Sequence, residues 1–377
     1  MPVLKNEKFR KLISRSFIAF NILIILMYLL VCLVPFLESG SFWFIAMLGL
    51  IFPFLFILVF LLLIYWLIKR KWKWALVPAI ALLLSWQQLS MCFAFRFGND
   101  DKNMMNIKPD GSIRVLSWNV ARWDEANREA RGGQSYRNLM MDWVQMMDAD
   151  IVCLQEFFEC YDPDISVQNI PVIKKMGYPY HYFFPSSKIF EGNFQFGLCI
   201  FSKYPILDSA QYLNGAGEHS EGFSYADIRV NDQVVRVFTT HLESFGFSRK
   251  DYEGLGTIES SGNILRKIKH SYQLRNQQAS TLRAYIDASP YPVIVCGDID
   301  DVPNSFAYFK VRGPLKDAFL EKGTGIGGTY QFFSPTLRID HLFADPQFKV
   351  KQFSRHQLVY SDHYPILADL ELKRKNK

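Results

Sequence analysis

Three long stretches free of charged residues open the chain, at residues 16–37, 39–68 and 74–95. Each exceeds the roughly 20 apolar residues that cross a bilayer core, so the pattern predicts three membrane spans at about 16–37, 42–68 and 74–95. Glu38-Ser39-Gly40-Ser41 separates the first two and suits a tight helical hairpin, while Gln87 and Gln88 interrupt the third. A cleaved leader would carry a shorter apolar core and would not be followed by two more spans. Residues 1–97 are therefore read as a membrane anchor, the polar stretch 98–111 as a linker, and 112–377 as one folded domain.

Beyond residue 112 the periodicity changes. Short β-branched and aromatic runs at 113–118, 151–154, 197–201, 234–239, 293–296 and 341–343 read as buried strands. Residues 138–147 and 272–286 carry apolar positions at helical spacing. No repeat or low-complexity segment breaks this mixture, which predicts a single α/β domain built of two layered sheets.

Charge is divided unevenly. Residues 1–97 hold 10 Lys/Arg against 2 Asp/Glu, whereas the whole chain holds 42 against 36. The remainder is thus close to neutral, and the pI of 8.8 describes the apolar region rather than a nucleic-acid-tracking surface. Lys5, Lys8, Arg10, Lys11 and Arg15 precede the first span, and Lys69, Arg70, Lys71 and Lys73 separate the second from the third. Both clusters are expected in the cytoplasm, which with three spans leaves the folded domain extracytoplasmic. The six cysteines form no CxxC pair and indicate neither a zinc site nor a disulfide framework.

The chemistry gathers at strand ends. Asn119 follows the first strand, Gln155-Glu156 the second, His241 the fourth and Gly297-Asp298 the fifth; Arg338-Ile-Asp340 and Ser361-Asp362-His363-Tyr-Pro-Ile366 come near the C-terminus. Each has a bland alternative: a turn asparagine, a first-turn glutamate, a core histidine, a turn-capping aspartate. As an ordered set, Ser117-Trp-Asn119, Leu154-Gln-Glu156, Thr240-His241, Gly297-Asp298-Ile-Asp300, Arg338-Ile-Asp340 and Ser361-Asp-His-Tyr-Pro-Ile366 resemble the endonuclease/exonuclease/phosphatase superfamily, the deoxyribonuclease-I-like fold.

That resemblance implies a four-layered α/β sandwich over 112–377 and metal-dependent hydrolysis of a phosphate ester. It implies Mg2+, or Mn2+ or another divalent cation, held by Glu156 with Asn119 and Asp362. It implies Asp298 as the base for water, His363 oriented by Asp340 on the phosphate, and His241 on the phosphate or leaving group. One position departs. Asp300 stands where the family usually has asparagine, and an ionised carboxylate cannot donate to a phosphate oxygen. Asp300 is then protonated or cation-bound, or the enzyme is slow, or neighbouring groups supply the missing donor; a weakened phosphate-binding module is the alternative reading.

The expected substrate is a lipid headgroup or small phosphodiester ahead of nucleic acid, although Arg266, Lys267, Lys269 and His270 form a local basic cluster. The N-terminal helices supply a membrane partner, and the sequence points to no protein partner. Arg275 and Gln278, on one helix face, are expected to tie helix to sheet, and Gly327-Gly-Thr-Tyr330 to form a loop beside the site.

Overall fold

The two spacings of apolar residues, continuous and then short and interrupted, become two compact units in a computed structural model. It describes residues 2–95, 107–213, 221–246, 258–332 and 335–373, apart from the side chains of 2–8, 39–41 and 258–261. Most of the expected linker, 98–106, lies outside the described residues. One unit comprises Met1–Cys92 and Asn304–Phe306, the other Phe93–Pro303 and Ala307–Lys377.

In the first unit, Phe9–Phe36 and Phe42–Ile68 are long and apolar enough to cross a membrane. The expected third span is instead a pair of helices, Trp72–Leu84 and Trp86–Cys92, bent by 60°. The break falls at Ser85, whose hydroxyl donates back to Leu82 O at 2.9 Å and meets the Tyr28 hydroxyl. Gln88, one of the two interrupting polar residues, donates to Cys32 O at 2.9 Å, and Trp66 donates to Asn21 at 3.0 Å. In apolar surroundings such bonds tie helices together. Only residues 37–41 separate the two long spans, and the second is built of a short helix, Ser39–Ala46, a 3-10 turn, Met47–Ile51, and the helix Phe52–Ile68.

The second unit holds two mixed six-stranded sheets. The first runs β11 (Phe348–Arg355), β12 (Ile366–Leu372), β1 (Ile113–Asn119), β2 (Ile151–Cys160), β4 (Phe194–Ser202) and β3 (Tyr180–Ile189). The second runs β5 (Ile206–Leu213), β6 (Gly222–Val230), β7 (Gln233–His241), β8 (Val293–Asp298), β10 (Asp340–Ala344) and β9 (Lys316–Asp317). Among the described strands only β1–β2 and β7–β8 pair parallel.

Alternation sorts the side chains into layers. Val115, Ile151 and Cys153 of the first sheet meet Val235, Val237, Ile294 and Leu342 of the second in one core. On the outer face of the first sheet, Leu116, Trp118 and Val152 pack with Met140, Trp143 and Val144 of the helix Arg137–Met147. Outside the second sheet, Tyr285 of the helix Ile258–Asp287 packs its ring 5.2 Å from Phe223. Helix, sheet, sheet and helix give the four layers expected.

Several strands carry buried charges that are paired in place. Arg114 of β1 forks onto Asp369 of β12 at 2.8 and 2.9 Å, and Arg236 of β7 onto Asp227 of β6 at 2.6 and 2.8 Å. Arg338 reaches Asp317 at 2.7 Å, and Asp317 also caps the helix Ala318–Lys322 and accepts from the Tyr308 hydroxyl at 2.7 Å. All six cysteines are buried and free.

His341, stacked on Phe343 and tilted against Tyr308, titrates far from its ordinary 6.5: burial, with the Arg338 charge adding to it, pulls it down to about 4. The unfolded chain therefore binds a proton here that the folded chain refuses between those two values. Stability should fall as pH drops through that window, by about 3 kcal/mol from this residue. Denaturant unfolding at pH 7 and 4.5 should show a smaller loss for His341→Phe than for the wild type; equal losses would remove His341 from the acid sensitivity.

Candidate functional site

Strand register assembles the site. His241 on β7 lies opposite Asp298 on β8, and Asp298 lies opposite Asp340 on β10. Three neighbouring strand ends thus present one row of ionisable groups. Gly297 lets them come together: a Cβ there would sit 2.1 Å from the Thr240 carbonyl oxygen of β7.

Buried carboxylates in a row repel unless cations intervene, and here histidines do. His363 Nδ1 lies 2.9 Å from Asp340 and its Nε2 lies 3.5 Å from Asp298. His241 Nε2 lies 3.8 Å from Asp298 and 3.3 Å from Asp300. The order is acid, base, acid, base, acid. Burial alone would lower both imidazoles, but the surrounding carboxylates outweigh it. His241 is carried to about 10 by Asp300, Asp298 and Glu221, and His363 well above its ordinary value by Asp340 and Asp298. Asp298 shifts the other way from a free acid: burial and then the Asp300 charge push its carboxyl up. Burial pushes on Asp300 too, yet the His241 bond and charge, with Arg275, hold it below the ordinary range. Asp300 thus has His241 as its ion-pair neighbour at 3.3 Å.

Asp300 also has a left-handed backbone, φ 55°, and its N–H donates to Asp298 at 2.9 Å. Asparagine and aspartate are the side chains that best tolerate this conformation, so the exchange leaves the turn intact.

The first sheet brings the remaining groups. Gln155 is fully buried and donates across to Thr239 of β7 at 2.9 Å and to Ser117 at 3.3 Å. The β2 ladder shifts register between Leu154 and Phe157, and Glu156 within that bulge has φ 48°. A bulge of this kind re-aims a side chain. Glu156 consequently lies 3.4 Å from the Asn119 amide, which also donates to Asp298 at 3.2 Å across the two sheets. Asp362 is raised by burial, opposed by His363 and reinforced by the Glu156 charge. Its loop is stitched to β1: Ser361 donates to Asn119 O at 2.7 Å, and Trp118 Nε1 to His363 O at 3.0 Å. Glu156 and Asp362 offer carboxylate oxygens suited to a hard divalent cation, while Asn119 turns its amide nitrogen to Glu156 and its oxygen accepts from Ala121 N at 3.1 Å. Two further groups could hold an ion among the described residues, His241/Asp298/Asp300 and Asp298/Asp340/His363.

One residue beyond Asn119 the backbone turns left-handed for four consecutive residues, with φ from 43° at Ala121 to 62° at Asp124. None is glycine, so the turn costs roughly 1–2 kcal/mol per residue and persists only because its surroundings hold it. Trp123 is fully buried, its ring edge-on to Phe157 at 5.8 Å. Asp124, also buried, accepts from Asn127 at 2.8 Å and Tyr136 N at 3.2 Å and pairs with Arg131 at 2.8 Å. Just before these anchors Arg122 stands 53% exposed, 3.5 Å from Glu156 and over the Phe196 ring at 5.0 Å.

All eight residues singled out from the sequence, Asn119, Glu156, His241, Asp298, Asp300, Asp340, Asp362 and His363, thus lie at one end of the two sheets. Asp301, next to Asp300, is buried and pairs with Arg275 at 3.3 Å. Arg275 and Gln278 tie the helix to Glu243, through its carbonyl at 2.8 Å and its N–H at 2.7 Å. Arg266, Lys269 and His270 face outward on the same helix. Two contributors escaped the sequence reading. Arg122 sits in a turn with no glycine to mark it. Glu221 lies in the polar end of a strand; burial raises it to about 8, and it faces His241.

Residues 116–363 match a family model described as the Endonuclease/Exonuclease/phosphatase family, and residues 11–91 match one described as a domain of unknown function. Among curated proteins the chain is similar to sphingomyelin phosphodiesterase 2 of Mus musculus, 22% identical over 59% of this chain and 51% of that protein. It is also similar to the Homo sapiens protein of that name, 24% identical over the same shares, 59% and 51%. The chain spans about half the length of these relatives. Among solved structures, an endonuclease/exonuclease/phosphatase from Beutenbergia cavernae DSM 12333 shares the fold, with a TM-score of 0.50 and 18% identity over 70% of this chain and 72% of that one.

The loop Gly327–Tyr330 serves the site through Thr329, whose hydroxyl accepts from both Ile339 N and Asp340 N at 3.0 Å. Thr329→Val should leave both N–H groups buried and unpaired and cost about 1–3 kcal/mol in denaturant unfolding. Thr329→Ser should restore most of it; equal loss in both variants would show that the hydroxyl is not what holds Asp340.

Proposed function

The chain belongs to the endonuclease/exonuclease/phosphatase family, and we propose that within it the protein is a divalent-metal-dependent phosphodiesterase acting on a lipid headgroup or a small phosphodiester. The observation that carries this reading is the alternating row of three aspartates and two histidines, set beside Glu156, Asn119 and Asp362.

Each group has a task that its surroundings suit. Asp298, its carboxyl raised by burial and by Asp300, is in its ionised form the acceptor for the proton of the attacking water, since a base works best when its pKa approaches the working pH. His363, fixed by Asp340 at 2.9 Å, donates to a phosphoryl oxygen. His241, kept protonated by Asp300, delivers the proton that the departing alcohol oxygen needs as its bond to phosphorus breaks. Asp300 is in this reading the orienter of His241 and not a phosphate ligand. Glu156, Asn119 and Asp362 would hold the divalent cation, which when bound neutralises charge growing on the phosphoryl oxygens.

Two observations favour lipid or small substrates. The apolar helices of the first unit bring a membrane within the chain's own compass. The near-neutral balance of residues 98–377 offers little of the broad positive field that nucleic acid demands. The curated relatives' name, sphingomyelin phosphodiesterase, points the same way.

Full-length protein in detergent should hydrolyse bis-p-nitrophenyl phosphate with Mg2+, lose activity with EDTA and regain it with added Mg2+. Glu156→Ala should lower kcat by roughly 1000-fold or more. Choline phospholipids, inositol phosphates and single- and double-stranded DNA, assayed side by side, rank the substrate classes. A silent wild type alongside an active Asp300→Asn would replace the enzyme with a phosphate-binding module.

The basic residues flanking the first span and following the second favour a cytoplasmic N-terminus, which with three crossings leaves the second unit extracytoplasmic. A reporter fused after Lys377 should be active only outside the cytoplasm; activity confined to the cytoplasm would reverse the assignment.

A further inference from the structure

The acids of the site outnumber the groups able to greet an anion. Asp298, Asp300, Asp340, Glu156 and Asp362 all accept, and with Asp300 engaged by His241 at 3.3 Å that position offers no donor. Two nearby guanidinium groups are committed elsewhere. Arg275 is buried against Asp301 and Glu243 O, and Arg338 against Asp317. Arg122 differs. Its backbone leads into the buried Trp123 and Asp124, its guanidinium rests over Phe196 at 5.0 Å, and it faces Glu156 at 3.5 Å while remaining 53% exposed.

Resting on the phosphodiesterase reading above, we infer that Arg122 is the substrate-phosphate donor of this site, supplying from the first sheet the contact that Asp300 cannot make from the second. The geometry supports this in three ways. A strained turn, fastened by the buried Trp123 and Asp124 that follow it, holds a mostly exposed cation beside the proposed metal ligand, where a plain surface arginine would need no such support. Phe196 gives the guanidinium a flat shelf, which keeps its fork oriented. When Glu156 is engaged by a cation, Arg122 keeps shelf and backbone but loses its acid, and an anion becomes its best partner. A guanidinium fork pairs two N–H groups with two oxygens of one phosphate.

The test uses detergent-solubilised full-length protein with Mg2+ and bis-p-nitrophenyl phosphate, comparing wild type, Arg122→Gly and Arg122→Lys. Glycine adopts the left-handed turn without steric cost, so its effect reports the side chain and not a collapsed loop. The expected result is a kcat/KM about 100-fold lower for Arg122→Gly, partly recovered by Arg122→Lys, with the Mg2+ concentration for half activation unchanged. Inorganic phosphate should inhibit about tenfold less tightly. In an Asp300→Asn background the loss on Arg122→Gly should shrink, because the amide restores a second donor. Wild-type kinetics in Arg122→Gly would overturn the inference. So would a loss that follows a raised Mg2+ requirement with phosphate inhibition intact, since Arg122 would then only position Glu156. If the wild type turns nothing over, the phosphodiesterase reading falls by itself, and calorimetric titration with inorganic phosphate still decides: equal affinity in wild type and Arg122→Gly overturns the role of Arg122, and a tenfold loss upholds it.

Discussion

The organising constraint in the second unit is the electrostatic alternation across β7, β8 and β10. Three aspartates at adjoining strand ends, in a setting with little water, would drive one another neutral if left alone. Interleaving His363 and His241 lets each charge be answered by its neighbour. The arrangement depends on register, because His241, Asp298 and Asp340 are in line only while β7, β8 and β10 keep their pairing. A slip of one residue would turn those side chains to the other face. The close approach allowed by Gly297, the Thr329 hydroxyl at the start of β10 and the Arg275–Asp301 pair all serve to keep that register.

A second task is to bring the other sheet's groups to the same point. Gln155 acts as a buried peg between the sheets, and the bulge beside it swings Glu156 out of the alternation. Asn119 then bridges the two halves, with one amide close to both Glu156 and Asp298. The two sheets are therefore joined by polar contacts at the end where chemistry is expected and by aliphatic packing elsewhere. A site built on strand ends in this way is held more firmly than one carried on loops.

Legibility from sequence followed the chemistry of burial. Strands that are continuous apolar runs, such as β8, were plain, and so were the polar groups at their ends. Strands β6 and β12 were not, although both are buried, because Asp227 and Asp369 break their apolar runs; each is neutralised by an arginine from the adjoining strand, a pairing invisible to local pattern. The helical bend at Ser85 was hinted at by Gln87 and Gln88, but its cause lies in bonds from Tyr28 and to Cys32, far along the chain. The eight expected site residues came together because the family's ordered motifs mark strand ends. Arg122 lay outside those motifs, and nothing in Ala-Arg-Trp-Asp announces a left-handed turn. That turn arises from what Trp123 and Asp124 bury, a tertiary effect that overrides local preference.

The left-handed turn has an evolutionary corollary. At an ordinary helical or extended position, a replacement is screened twice, once for the backbone it prefers and once for what its side chain does. At residue 122 glycine, asparagine and aspartate are tolerated best and proline and β-branched residues worst, while the remaining side chains meet a similar steric penalty that the anchors at 123 and 124 bear regardless. Among those remaining side chains backbone preference hardly discriminates, and the choice between them is open to selection by ligand. Such a position can drift between substrates while the scaffold stays fixed.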